Sequence, residues 1–210
     1  MKYKAVIYDI DGTILNTLNM NMIPLIQIIK EETGEEWSFE RVLKYASYPG
    51  LKVIEELGVE NPELTYQRWV QYVNEFEGGA SLYGGFLEVF DAFEKRGITQ
   101  AVVSAKTRTQ YAIDMESKGY NRYMKVEVLA DDINQAKPSP ESLYRCLELL
   151  DMQAHEVIYI GDAVSDYEAA SSAGIDFGYA RWGSTSSEGI VNPDYVFEKP
   201  IDILKLLTEA

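Results

Sequence analysis

The stretch Lys4-Ala5-Val6-Ile7-Tyr8-Asp9-Ile10-Asp11-Gly12-Thr13 determines how the rest of this sequence is interpreted. Its apolar, β-branched residues are typical of a strand buried within a parallel sheet. Asp9 and Asp11 are two residues apart, so their side chains point to the same side of an extended chain. Gly12 predicts a sharp turn directly afterwards, because glycine adopts turn conformations at little cost. The stretch therefore predicts two carboxylates at the carboxyl end of a strand, where open α/β sheets bind their ligands.

An Asp-Gly pair is also an ordinary turn signal, so this stretch alone does not establish a catalytic or metal-binding role. A calcium loop of the helix-loop-helix type is excluded, because that pattern needs glycine at its sixth position and glutamate at its twelfth. Counted from Asp9, the glycine is fourth and the twelfth residue is Met20. Support for a functional site has to come from other parts of the chain.

The composition limits the classes of protein to be considered. The chain has 210 residues, of which 46% are hydrophobic and 25% charged, as in a globular protein with a sizeable core. The formal net charge of -15 argues against nucleic-acid binding, because phosphate backbones attract basic surfaces. Cys146, the one cysteine, cannot form an internal disulfide, and a single histidine cannot build a usual zinc site. We expect a cytoplasmic protein without a membrane partner, either a monomer or a homodimer, because no signal peptide or membrane-length apolar run is present.

Residues 15–81 show a helical pattern. Apolar residues recur at helical spacing through this segment, and Asn61-Pro62 is a typical helix start with proline at the first helical position. No strand is predicted here. We interpret residues 15–81 as a small helical domain inserted after the first strand, and residues 1–14 and 82–210 as an α/β core.

From Tyr83 onward, predicted strands and helices alternate. The predicted strands lie at residues 98–104, 126–129, 157–160, 176–180 and 195–197. Strands separated by helices indicate a doubly wound parallel sheet with helices on both faces and right-handed crossovers. The predicted fold class is therefore α/β.

Residues capable of chemistry follow several of these strands. Ser104 ends one strand, Lys137 lies in a stiff, proline-containing turn just before a helix, and Asp162 and Asp166 follow the strand at 157–160. Taken singly, most of them have ordinary explanations. A serine such as Ser104 is common in loops, and Lys137 could be an ordinary solvated lysine. The dipole of a helix N-terminus would favour a carboxylate at Asp166 even without a function. Asp162 is the one that such explanations account for poorly.

The predicted topology brings the acids together. Asp9, Asp11 and Asp162 meet if the first and fourth strands are neighbours at the switch point of the sheet. Clustered carboxylates repel each other, and with oxygen ligands only, Mg²⁺ is the best candidate for the cation that they need. A carboxylate about 4 Å from a phosphate dianion is repelled by about 8 kcal/mol at an effective dielectric constant near 20. Lys137 is the candidate for a fixed cation, and Ser104 can donate a hydrogen bond to a phosphoryl oxygen. These groups together suit phosphoryl transfer.

Four motifs, in this order, resemble those of the haloacid-dehalogenase-like superfamily. They are Asp9-Ile10-Asp11-Gly12-Thr13-Ile14-Leu15, Ser104, Lys137-Pro138 and Gly161-Asp162-Ala163-Val164-Ser165-Asp166. The match covers essentially the whole chain. The helical insert resembles the small α-helical cap of that superfamily, and the tail from Ala180 is similar to the phosphoglycolate-phosphatase-like branch.

The resemblance implies a role for each motif residue. It makes Asp9 the nucleophile that forms an aspartyl-phosphate, and Asp11 the acid that protonates the leaving oxygen and then activates water. It implies that Ser104 holds the transferring phosphoryl group and that Lys137 neutralises charge. The implied ligands of Mg²⁺ are Asp9, Asp11 (through its backbone carbonyl), Asp162 and, in a supporting position, Asp166. The presence of Asp11 argues against dehalogenation, because a halide leaves without a proton.

The predicted substrate-binding residues are Gly12, Thr13, Gly50, Lys52, Ala105 and Lys106. The segment Tyr48-Pro49-Gly50-Leu51-Lys52 matches the substrate-facing cap loop of the family only loosely. Lys52 either binds a distal anionic group of the substrate or is a plain surface lysine.

The expected function is that of a Mg²⁺-dependent phosphatase acting on a small, phosphoglycolate-like monoester. The alternative is a sugar-phosphate mutase of the β-phosphoglucomutase type, which the lack of a clear cap arginine near Gly50 weakens. A non-catalytic binding protein on the same fold is the third possibility. It is disfavoured because Asp9, Asp11, Lys137 and Asp162 are all present.

Overall fold

The computed structural model describes residues 2–46, 48 and 50–208. The chain divides into two compact units. The α/β unit comprises Met1–Asn16 and Leu82–Ala210, and the helical unit comprises Thr17–Ser81. Among the described residues, no helix has both the length and the apolar character that crossing a membrane requires.

The α/β unit is built on a six-stranded sheet in which every pair of neighbours is parallel. Its strands are β1 (Ala5–Tyr8), β4 (Thr99–Val103), β5 (Val126–Val128), β6 (Val157–Gly161), β7 (Asp176–Ala180) and β8 (Tyr195–Phe197). Their spatial order is β5-β4-β1-β6-β7-β8. The chain adds strands on one side of β1 and then on the other, which is the doubly wound arrangement. The predicted fold class is confirmed.

The central strands are apolar because both of their faces are covered. Every residue of β1 and of β6 is buried. In such a sheet the apolar residues form a continuous run instead of alternating with polar ones. The register places Tyr8 opposite Val102 of β4 and opposite Ile160 of β6. The residues that follow these three strands therefore emerge at the same edge of the sheet.

Helices connect the strands and cover the sheet. They are α5 (Phe86–Lys95), α6 (Arg108–Tyr111), α7 (Glu141–Leu150) and α8 (Val164–Ala173), followed by a 3-10 helix at Pro200–Leu207. Cys146 of α7 is fully buried in the core between the helices and the sheet, which accounts for a cysteine at that position. The segment after β4 forms one turn of α-helix, α6, and then a π turn at Ala112–Glu116.

The described residues of the helical unit form four α-helices. They are α1 (Leu18–Thr33), α2 (Phe39–Val42), α3 (Gly50–Glu56) and α4 (Pro62–Asn74). The side chain of Asn61 accepts a hydrogen bond from the amide of Leu64 and caps α4, as the Asn-Pro start predicts.

The expectation that residues 15–81 contain no strand is wrong at both ends of the segment. Leu15–Asn16 (β2) and Ser81–Leu82 (β3) form a two-stranded sheet. Strands of two residues have no measurable hydrophobic period, and their pairing joins positions far apart in the chain. Local pattern therefore does not reveal them.

Candidate active site

Three buried carboxylates lie together at the carboxyl edge of the sheet. Asp9 follows β1, Asp162 follows β6, and Asp166 lies in the first turn of α8. One oxygen atom of each lies within 4.8 Å of the others. The Asp9 amide donates a hydrogen bond to the Ile160 carbonyl at 2.8 Å, so the pairing of β1 with β6 continues to the first acid. Strand pairing is thus what brings Asp9 beside Asp162.

Lys137 places an ammonium group against two of these acids. Its Nζ lies 2.7 Å from Asp9 Oδ1 and 2.5 Å from Asp166 Oδ1. It also donates a hydrogen bond to the Tyr159 hydroxyl at 3.0 Å, and that hydroxyl donates to Asp166 Oδ1 at 2.9 Å. Burial lowers the pKa of Lys137, but the charges of Asp166 and Asp9 outweigh burial and raise that pKa well above its ordinary value. Lys137 is therefore a fixed positive charge.

Tyr159 belongs to this network and was not predicted as a site residue. It lies in β6 and is fully buried, with its hydroxyl between Lys137 and Asp166. The sequence offers one signal for it, a tyrosine in an otherwise aliphatic strand. The hydroxyl of a buried tyrosine usually forms a hydrogen bond. That signal indicates a hydrogen bond but does not say to which group.

The surroundings of Asp9 and Asp162 disfavour the charged forms of these two acids. Burial raises the pKa of Asp9 to about 7; Lys137 opposes this shift, while the charges of Asp166 and Asp11 add to it. Burial also raises the pKa of Asp162 well above its ordinary value, and Asp166 and Asp9 raise it further. The cluster holds more negative charge than Lys137 balances. An all-oxygen donor set with surplus negative charge suits a hard divalent cation such as Mg²⁺.

Three glycines allow close approach of the backbone around the acids. Gly12 has a φ of 78°, and a Cβ atom there would collide with the Asp162 carboxylate. A Cβ on Gly161 would lie 2.5 Å from the Asp166 side chain. A Cβ on Gly183 would collide with the Gly12 carbonyl. Side chains at these positions would displace either the acids or the turn that follows β1.

Thr13 is fully buried, and its hydroxyl donates a hydrogen bond to Asp162 Oδ1 at 3.1 Å. Through this contact, the turn after β1 orients an acid that follows β6. For Gly12 and Thr13 the structure therefore shows contacts with Asp162. The substrate-binding role assigned to them from the sequence stays a prediction.

Ser104, Ala105 and Lys106 follow β4, the other neighbour of β1. Ser104 is buried, and its amide donates a hydrogen bond to the Val128 carbonyl at 3.0 Å. Its Oγ accepts a hydrogen bond from the amide of Lys106 at 3.3 Å. Ala105 is exposed. These residues lie at the same edge of the sheet as the acids, and their predicted roles toward a substrate stay predictions.

Lys106 pairs with two carboxylates. Its Nζ lies 3.1 Å from Asp11 Oδ1 and 2.6 Å from Asp114 Oδ2. Burial lowers the pKa of Lys106, but the charges of Asp11 and Asp114 outweigh burial and raise that pKa. Asp114 was not predicted as a site residue, because nothing in the sequence shows that the helix after Ser104 contains a π turn.

Gly50 and Lys52 belong to α3 of the helical unit. A Cβ on Gly50 would lie 2.6 Å from the Tyr66 ring, so this glycine permits close packing within the unit. The ammonium of Lys52 lies 5.2 Å from the centre of the Tyr48 ring, within the range of a cation–π contact. Pro49, in the same predicted loop, lies outside the described residues. The substrate-binding role of this segment stays a prediction.

Comparison with known proteins gives concordant matches over the chain. A sequence model described as haloacid dehalogenase-like hydrolase matches residues 6–180. The pyrophosphatase PpaX of Bacillus mycoides (strain KBAB4) is 26% identical over 220 residues, with 99% of this chain and 98% of that protein covered. The pyrophosphatase PpaX of Bacillus cereus (strain Q1) is 25% identical over 221 residues, with 100% of this chain and 98% of that protein covered.

Solved structures share the fold. A "putative phosphoglycolate phosphatase" from Lactobacillus plantarum superposes with a TM-score of 0.90 at 26% identity, covering 98% of this chain and 100% of that one. A β-phosphoglucomutase from Clostridium difficile superposes with a TM-score of 0.80 at 15% identity, covering 98% of this chain and 96% of that one. At that identity, the second likeness shows the fold alone.

Proposed function

This chain belongs to the haloacid dehalogenase-like hydrolase family, and on that premise we propose that it is a Mg²⁺-dependent phosphatase that forms an aspartyl-phosphate. The family and the phosphatase class of hydrolase predicted from the sequence are confirmed. The observation that carries the proposal is the contact of Asp9 with Lys137 inside a cluster of three buried carboxylates. A nucleophile, a fixed cation and a set of metal ligands are therefore available in one place.

In the first half-reaction, a carboxylate oxygen of Asp9 attacks phosphorus. The bond from phosphorus to the leaving oxygen breaks, and its electron pair stays on that oxygen, which takes a proton from the Asp11 carboxyl group. In the second half-reaction, Asp11 takes a proton from water as the water oxygen attacks phosphorus. The bond to Asp9 breaks and inorganic phosphate leaves. One water molecule is consumed for each ester.

Charge is the main obstacle to this attack, because the nucleophile and the phosphate dianion are both negative. Their repulsion is about 8 kcal/mol at about 4 Å and an effective dielectric constant near 20. Lys137, at 2.7 Å from Asp9, opposes this repulsion on the protein side. Asp9, Asp162 and Asp166 would hold Mg²⁺, which supplies further positive charge to the phosphoryl oxygens. Ser104 would donate a hydrogen bond to the phosphoryl group.

The side chain of Asp11 faces Lys106, whereas the acids grouped closely enough to hold a metal ion are Asp9, Asp162 and Asp166. This separation suits the proposed division of labour, in which Asp11 transfers protons and the other acids bind the cation. A metal contact through the Asp11 carbonyl remains part of the proposal. So does a cap role for the helical unit, which would exclude bulk water and select the substrate.

The substrate that we propose is a small phosphate monoester of the phosphoglycolate type. The pyrophosphatase relatives add inorganic pyrophosphate as a second substrate to test, because its phosphoanhydride bond can be cleaved by the same attack on phosphorus.

The test is phosphate release from 4-nitrophenyl phosphate, phosphoglycolate, glycerol 1-phosphate, glucose 6-phosphate and pyrophosphate, with Mg²⁺ or with EDTA. We expect hydrolysis that requires Mg²⁺ and is lost in Asp9→Asn. Glu168→Gln is the matched control, because Glu168 is an exposed acid on α8, the helix that carries Asp166. Isomerised sugar phosphate without free phosphate would indicate a mutase. No turnover of any compound would indicate a binding protein.

A further inference from the structure

A second buried charge cluster adjoins the acids of the candidate active site. Lys106 lies between Asp11 Oδ1, at 3.1 Å, and Asp114 Oδ2, at 2.6 Å. The side chains of Lys106 and Asp114 are 6% and 4% exposed, whereas that of Asp11 is 34% exposed. One end of the cluster is therefore fixed in the protein interior, and the other end reaches the solvent-accessible edge of the sheet.

The segment that carries Asp114 inverts the usual pattern of burial. Asp114 is 3% exposed, while its neighbour Ile113 is 40% exposed. Burying a carboxylate and exposing an isoleucine are both unfavourable, so a specific contact has to offset them. The contact that the structure shows is the one with Lys106.

The backbone is also irregular at this point. Asp114 lies in the π turn Ala112–Glu116, directly after α6. Single π turns within helices are rare and occur frequently at functional sites. Here the turn directs Asp114 toward Lys106. The inverted burial and the irregular backbone therefore converge on the same ion pair.

We propose that Lys106 is a positioning residue that orients the Asp11 carboxyl group, and that Asp114 holds Lys106 in place. This inference rests on the proposed function, because it gives Asp11 the proton-transfer role. Lys106 Nζ faces Oδ1 of Asp11 as an ion-pair partner, and in this proposal the other oxygen, Oδ2, exchanges the proton. That proton moves from Oδ2 to the leaving oxygen as the phosphorus–oxygen bond breaks, and water returns one in the second half-reaction.

The inference predicts a dependence on the leaving group. An alkyl phosphate needs a proton on its leaving oxygen, whereas 2,4-dinitrophenyl phosphate releases a stable phenolate without one. A residue that orients the acid should matter for the first substrate and hardly for the second. A residue that binds the phosphoryl group, or that only maintains the fold, should affect both substrates equally.

The experiment compares kcat/KM for these two substrates, because this ratio reports steps up to the first irreversible one. The alkyl ester is the one that the wild-type protein hydrolyses fastest in the panel above. For Lys106→Met we expect a loss of about 100-fold on the alkyl ester, the lower range for removing a general acid, and less than 3-fold on the dinitrophenyl ester. Lys106→Arg should restore part of the loss. Equal losses on both substrates would overturn the inference.

A second variant keeps the test valid if a buried charge left unpaired prevents folding. Lys106→Met/Asp114→Leu replaces the buried ion pair with apolar side chains of similar size, a change that proteins often tolerate. We expect the same selective loss on the alkyl ester. If the ratio of kcat/KM for the alkyl ester to kcat/KM for the dinitrophenyl ester is the same in the folded double variant as in the wild-type protein, the inference is contradicted.

Asp11→Asn separates failure of the inference from failure of the proposed function. If Asp11→Asn shows the selective loss and the Lys106 variants do not, only the role of Lys106 is wrong. If Asp11→Asn shows no selective loss, or if the wild-type protein hydrolyses no ester, the proposed function is wrong and the inference falls with it.

Discussion

Lys137 Nζ lies 2.7 Å from Asp9 Oδ1, although 128 positions of sequence separate the two residues. The contact depends on the sheet, because Asp9 follows the central strand β1 and Lys137 precedes α7. Neither residue is unusual by its local sequence. Together with Asp166 they form a buried group in which charge neutralisation is incomplete, and most of the predictions below follow from that imbalance.

Replacing Asp9 should abolish catalysis without destabilising the fold. Asp9→Asn removes the proposed nucleophile and also removes a carboxylate that its neighbours repel, so we expect no measurable turnover and an unchanged or higher Tm without metal. Thermal unfolding in EDTA, with Glu168→Gln as the control, measures this. A clearly lower Tm for Asp9→Asn would contradict the clustered-acid interpretation.

The stability of the metal-free protein should depend on pH through Asp9. Its pKa is raised from 3.8 to about 7 in the folded state. An acid whose pKa is higher in the folded state than in the unfolded state stabilises the fold fully at pH values below its unfolded-state pKa. That contribution is lost as the pH rises through the folded-state pKa. We therefore expect the wild-type protein to lose stability relative to Asp9→Asn between about pH 4 and pH 7, with a plateau above. Urea unfolding of both proteins in EDTA across this range tests the sign, and an opposite slope of the difference refutes it.

Mg²⁺ should stabilise the folded protein through Asp162. A ligand that binds only the folded state at 100 times its dissociation constant contributes about 2.7 kcal/mol. We expect Mg²⁺ to raise the Tm of the wild-type protein and of Glu168→Gln, and to have a much smaller effect on Asp162→Asn. Differential scanning fluorimetry over a Mg²⁺ titration gives the comparison. Equal shifts in Asp162→Asn and in the wild-type protein would place the cation elsewhere.

Removing the ammonium of Lys137 should affect both stability and catalysis. Lys137→Met leaves Asp9 and Asp166 without their cationic partner, and breaking a buried pair in this way typically costs about 3–5 kcal/mol. We expect a loss of this size in urea unfolding without metal, and loss of phosphatase activity. The control is Lys95→Met, because Lys95 is exposed at the end of α5. A stability loss no larger than that of the control would count against the buried ion pair.

Comparing alanine substitutions at Gly12 and Gly34 separates the cost of backbone strain from the cost of a steric collision with the site. The two glycines have φ values of 78° and 73°, but a Cβ atom on Gly34 has nothing within 4 Å, whereas one on Gly12 meets the Asp162 carboxylate. Gly34→Ala should cost about 1 kcal/mol, the usual penalty for a side chain in the left-handed region. Gly12→Ala should cost more and should also reduce the stabilisation by Mg²⁺. Urea unfolding with and without Mg²⁺ measures both effects.

The strands of the sheet can be predicted from the sequence because each of them has a local hydrophobic pattern. Val157 to Ile160 is a continuous apolar run, and a parallel sheet buried on both faces favours such runs. Alternation with helices then implies crossovers of one hand, which leave few possible strand orders. In the orders that make β1 and β6 neighbours, Asp9 and Asp162 converge, and that expectation needs no knowledge of side-chain positions.

The contacts of Lys106 show where prediction from sequence ends. Its partner Asp114 is eight residues away, and regular helical geometry does not indicate which side of the helix faces Lys106 when a π turn intervenes. Tyr159 is similar, since its strand is evident and the partner of its hydroxyl is not. Partners of buried polar groups are set by tertiary packing, and a local hydrophobic pattern contains no information about them.

The absence of side chains at Gly12, Gly161 and Gly183 has a consequence for directed evolution of this protein. Each position is enclosed by the Asp162 carboxylate, the Asp166 side chain or the Gly12 carbonyl, so random mutagenesis there should yield mostly inactive clones. Libraries that aim to change substrate preference should leave these three codons constant and diversify other positions. New specificity in this scaffold then has to be acquired while the backbone at these three positions stays unchanged.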